Sequence, residues 1–113
     1  MPTSRNRKIF YHVTPKHNIR SVFVNGVLPE MAKSEVKRSW FVRAEALNWA
    51  IEHVCKRHNV SEGEVSIAVC LIPVSLMRAT SRPGAFYTDV KITPLAFYSV
   101  DELDVLWIER DHE

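Results

Sequence analysis

Residues 10–29 read FYHVTPKHNIRSVFVNGVLP: an apolar run meets a histidine, turns at once, and continues with helical spacing. Ile9–Val13 is rich in the β-branched and aromatic side chains that suit a pleated, half-buried surface, and its length is that of a strand. Thr14 is a favourable N-cap. Pro15 is a favourable first helical residue, because the N–H it lacks has no helical partner there. Ile19, Val22 and Phe23 then recur at i, i+3 and i+4, which predicts a short helix with one apolar face. Asn25-Gly26 ends it, glycine being free to take a left-handed conformation, and Val27-Leu28-Pro29 returns to the core. A histidine at such a strand end, His12, is either a packed residue with one satisfied nitrogen or a group aimed at a ligand.

Beyond this stretch, residues 30–38 form a charged loop or ragged helix, and Ser39–Val42 is a short strand candidate. The strongest helical signal runs from Ala44 to about Arg57, with Leu47, Ala50, Ile51, Val54 and Cys55 on one stripe. Asn59–Glu64 is a turn. VSIAVCLI at residues 65–72 alternates at first and then turns almost wholly apolar, as a central strand does. Residues 73–80 are a turn or a single helical turn, 81–84 a loop, and 85–90 another strand. Residues 92–99 match neither period, and 105–108 read as a last strand. Helices at about 15–25 and 44–58, placed early among strands that continue late, predict an α+β fold.

With 113 residues the chain is long enough for one real core and too short for two. Residues 1–8 read as a flexible basic leader and 9–113 as a single domain. No apolar run approaches the ~20 residues of a membrane span, and IFYHV after the basic start is too short and polar for a signal-peptide core. Cys55 and Cys70 have no zinc-type spacing, so reduced thiols in a cytoplasmic protein are expected. The net charge of +2 conceals an asymmetry: residues 1–43 carry +7, 44–82 are neutral, and 83–113 carry −5. A basic first third suits a phosphate-bearing partner, whereas a merely solvated surface would serve none.

Common catalytic signatures are absent: the three glycines are scattered, so there is no phosphate loop, and no GxSxG elbow occurs. His53 and His58, five apart on the second helix, point in different directions and are expected to face solvent rather than hold a metal. His17 and His112 read as surface residues, and Glu62 and Glu64 as turn carboxylates. What remains is a grouping of His12 and Thr14 at one strand end with Arg38, Trp40 and Phe41 at the next. An imidazole, a hydroxyl, a guanidinium and aromatic faces together suit a nucleotide: aromatics stack a base, arginine forks onto phosphate, and His and Thr reach ribose hydroxyls.

YHVTPKHNIRSVFVNGVLP resembles the first motif of the ADP-ribosyltransferase-like superfamily, in which a strand ends in His-x-Thr and a helix follows with an apolar pattern matched by Ile19, Ser21, Val22, Gly26 and Leu28. RSWFVRAEALNWAIEHV resembles that family's second strand and helix, VSIAVCLIPVSLM its central strand, and GAFYTDVKITPLAF its late strand. The pattern is nearest to the RNA 2′-phosphotransferase and DNA-targeting toxin branches. Arg38 matches the arginine of the phosphotransferase MxRxHxH segment, while Trp40 and Val42 stand in place of its histidines. The resemblance implies split, bent, mixed or antiparallel sheets with two main helices. It implies NAD as cofactor, with His12 and Arg38 catalytic, and His12, Val13, Thr14, Lys16, Trp40, Phe41, Arg43 and Tyr87 binding it. Val13 stands where the family has a glycine that contacts nicotinamide through its backbone. The late strand departs from the pattern: Arg82–Phe86 holds no glutamate, and Asp89 lies several residues too late.

Two functions follow as expectations. One is an NAD-dependent enzyme, of a kind found in small bacterial or phage conflict systems, that transfers ADP-ribose to a protein or nucleic-acid acceptor. The other is a binding module of the same fold that recognises a nucleotide, nucleic acid or protein without turnover. A plain nucleic-acid binder driven by the basic first third is a blander third. Neither a metal nor a membrane is expected among its partners.

Overall fold

In the computed structural model, which describes residues 6–27 and 38–102, the chain runs β1 (Arg7–Pro15), α1 (Ile19–Asn25), β2 (Ser39–Val42), α2 (Leu47–His58), β3 (Val65–Pro73), β4 (Arg78–Ala79), β5 (Ala85–Thr88) and β6 (Ala96–Ser99). The fold is α+β. Six strands form one antiparallel sheet in the order β4-β5-β2-β1-β3-β6. The predicted strand over 105–108 lies outside the described residues, as does most of the predicted charged loop.

The two-residue repeat of β1 explains the layering. Ile9, Tyr11 and Val13 point to one face, where they pack with Val42, Val65, Ile67 and Ala85 against Leu47, Ala50 and Ile51 of α2. Phe10 points to the other face, joining Phe41, Ala68, Cys70 and Ile72 beneath Val22 of α1. Both faces of the sheet centre are therefore covered, which is why β3 reads as an almost unbroken apolar run. β1 and β3 pair over nine residues, from Arg7 opposite Pro73 to Pro15 opposite Val65.

Thr14 does not cap the first helix. Both Thr14 and Pro15 finish β1; Pro15, with φ −60° and ψ 145°, caps a 3-10 turn at Lys16–Asn18, and the cap position of α1 itself falls on Asn18. The helix proper buries Val22 but leaves Phe23 72 % exposed, so its apolar stripe is narrower than the spacing predicts. Gly26 ends it at φ +80°, and a Cβ there would stand 2.9 Å from the Ile92 carbonyl oxygen. That close approach is a bridge: Val27 N–H donates to Ile92 O at 2.7 Å, and Ile92 N–H returns to Val27 O at 3.2 Å. The stretch that matched neither period thus resolves into one bridging residue and the edge strand β6. The turn before β3 is held by Ser61 and Glu64, each satisfying the other's backbone. β4, a two-residue edge strand, has no signal in the sequence.

Candidate functional site

Although neighbours in the sheet, β1 and β2 share a single register pair, Tyr11 opposite Val42. Beyond it the strands diverge, and side chains take over the role of the ladder on both sides. On one side the Arg43 guanidinium donates to the Ile9 carbonyl at 2.7 Å, its charge 5.4 Å from the Phe10 ring centroid. On the other, His12 Nδ1–H donates to the Trp40 carbonyl at 2.8 Å. A backbone carbonyl that loses its strand partner must be satisfied by something, and these two side chains do it.

The divergence opens a cleft of about 600 Å³, within the range of small-molecule sites. His12, Val13, Thr14, Arg38, Trp40 and Phe41 all line it, so the structure brings six of the sequence-derived site residues together. The His12 ring also lies against Phe41, centroids 5.4 Å apart. Because a carbonyl only accepts, the bond to Trp40 places the His12 proton on Nδ1 and leaves Nε2 an acceptor. Burial pushes this imidazole below its ordinary value, opposed by the Trp40 bond, so the ring is neutral near pH 7. Val13 turns its side chain to the α2 core, and Thr14, 4 % exposed, accepts from Asn18 Nδ2 at 3.4 Å.

Lys16, Arg43 and Tyr87 stand outside the lining. Arg43 is engaged by the Ile9 carbonyl. Tyr87 acts on the site through its neighbours: the Arg38 guanidinium lies 4.2 Å over its ring, and Trp40 packs beside it at 5.6 Å. Together these contacts fix Arg38 at the rim beside a half-exposed indole.

Sequence reasoning missed the opposite wall. Trp49, His53 and Arg57 recur at i, i+4 and i+8 along α2, and all three line the cleft together with His58. His53 stacks on Trp49 at 5.3 Å, and Arg82 covers the same indole at 4.2 Å. His53 and His58, five residues apart, both border the cleft, His53 exposed to solvent as expected and His58 half-buried. The i+4 spacing was the available signal. Ser39 was missed too: it lines the cleft, is 3 % exposed, and its Oγ has no hydrogen-bond partner among the described residues.

Among the described residues, the charged side chains lining the cleft are Arg38 and Arg57, joined by three imidazoles; no carboxylate lines it. Chemically this is an anion-accepting slot with flat aromatic faces and one neutral imidazole acceptor. No group of three His, Cys, Asp or Glu that could hold a metal occurs among the described residues, and no helix there is long and apolar enough to cross a membrane. Compared with protein-family models, with curated proteins and with solved structures, the chain matches none.

Proposed function

We propose that the cleft between β1 and β2 binds NAD or an ADP-ribose-type dinucleotide, and that the domain transfers ADP-ribose to a protein or nucleic-acid acceptor. The observation that carries this reading is His12: its Nδ1 is tied back to Trp40 where the strands part, and its Nε2 is left as an acceptor in a cationic, aromatic cleft. The residues fit such a group. Arg38 and Arg57 suit a pyrophosphate, the exposed face of Trp40 suits a flat ring, and the neutral His12 suits a ribose hydroxyl. Bound NAD would supply a glycosidic bond to ribose with nicotinamide as leaving group. The chain's own residues would orient the ribose, hold the phosphates and exclude water, so acceleration would come from positioning and electrostatics.

A second reading is a binding module of the same fold. Its support is the described lining, in which no carboxylate is placed to stabilise positive charge on a ribose. Calorimetry with NAD and ADP-ribose, followed by an assay for released nicotinamide, separates the two. Binding with release supports the enzyme and binding without release the module, whereas no binding to either ligand removes both.

A further inference from the structure

Ser39 carries a buried polar atom with no hydrogen-bond partner among the described residues. Its hydroxyl is buried, its residue is 3 % exposed, and it lines the cleft. A buried hydroxyl without a hydrogen bond is a standing cost to the fold, and alanine would fill the same space without it. Its neighbour across β5, Thr88, has its own Oγ1 engaged by the Val90 N–H at 3.3 Å. The opposite side is more telling. Counting on from the Tyr11–Val42 pair, Thr14 and Ser39 would have faced one another had the β1–β2 ladder continued. Both residues instead line the cleft, and His12 lies two residues before Thr14 on the same face of β1.

We infer that Ser39 is a ligand-binding residue whose hydroxyl, together with His12 Nε2, receives the vicinal diol of the ribose that lies beyond the diphosphate in ADP-ribose and bears nicotinamide in NAD. The assignment rests on the dinucleotide reading above and adds to it the residue that reads the sugar. Rotation about one side-chain bond redirects Oγ, and serine's hydroxyl can both donate and accept. His12 Nε2 can only accept. A diol, with one hydroxyl donating to the imidazole and the other exchanging with serine, satisfies both groups at once. In the free protein the unpaired Ser39 hydroxyl is thus a cost to stability that a bound diol would remove.

The test pairs stability with affinity in the Ser39→Ala variant of the full chain. Its Tm should equal or exceed that of the wild type, since an unsatisfied hydroxyl is removed. Its affinity for ADP-ribose should fall about tenfold, while its affinity for ADP, which lacks the second ribose, should match the wild type. A lower Tm with unchanged ADP-ribose affinity would mean that Ser39 holds the strands or a buried water, and would overturn the inference while leaving the dinucleotide reading intact. Equal losses for ADP-ribose and ADP would overturn it as well. If the wild type binds neither ligand, the dinucleotide reading fails and the inference falls with it.

Discussion

His12 does two things at once, and its variants should separate them. The ring satisfies the Trp40 carbonyl at the point where the sheet parts, and it leaves a nitrogen in the cleft. His12→Ala should cost about 1–3 kcal/mol of stability, because it removes a bond and leaves a carbonyl unpaired. It should also abolish ADP-ribose binding; melts and calorimetry on one preparation would show both, and retained affinity would sink the ligand role. The same ring sets a pH dependence. Its folded value lies below the 6.5 of a free imidazole, so the folded state takes up the proton less readily than the unfolded chain. The stability it contributes is complete above about pH 6.5 and is lost as pH falls toward the folded value. Urea melts at a series of pH values should show a smaller acid-side loss for His12→Gln than for the wild type. Identical losses would assign the acid limb to other groups. Cys70 differs in kind: its thiol, buried and pushed up to about 12, should resist alkylation in the native protein and react only on unfolding.

Helix α1 and the β1–β2 junction are where local pattern and tertiary context part company. Thr14-Pro15 has the composition of a helix start, yet β3 offers Thr14 and Pro15 partners in Ser66 and Val65, and the strand wins two more residues. The helix that remains is short, and its position depends on Gly26. Gly26→Ala would force a Cβ against the Ile92 carbonyl oxygen at a positive φ, so a loss of more than about 1 kcal/mol is expected. A neutral substitution in denaturant titration would show that the Val27–Ile92 bridge readjusts freely. Arg43 carries the equivalent role on the other side of the split. Removing its charged bond to Ile9 in Arg43→Ala should cost about 1.5–3 kcal/mol, with no change in the salt dependence of ligand binding.

The charge asymmetry of the chain becomes useful only once the fold distributes it. Of the basic first third, Arg38 alone reaches the cleft lining among the described residues, and Arg57 of α2 supplies the second guanidinium. ADP-ribose affinity should therefore decline with added salt, because partly exposed charge pairs are screened. Arg38→Ala with Arg57→Ala should weaken binding and flatten that decline. Salt-independent affinity in the wild type, measured by calorimetry, would make the cleft's charge irrelevant to its ligand.

Much of the framework was legible in the chain itself. The cores of β1, β2, β3 and β5, and the whole of α2, follow from apolar spacing over neighbouring residues, and spacing is a local property. So was the grouping of His12, Thr14, Arg38, Trp40 and Phe41, since each flanks or occupies a strand whose place the pattern gives away. The short β1–β2 ladder, a single register pair, was not legible, nor was anything that depends on it. Where the β1–β2 ladder stops is settled by contacts between residues far apart in sequence: His12 with Trp40, 28 positions on, and Arg43 with Ile9, 34 positions back. Those contacts decide that Arg43 holds the sheet rather than the cleft. The fold also decides that His53 and Arg57, although exposed, border a cleft, and that Ser39 keeps a buried hydroxyl without a partner among the described residues. Periodicity shows which face a side chain takes; only strand pairing shows what that face meets.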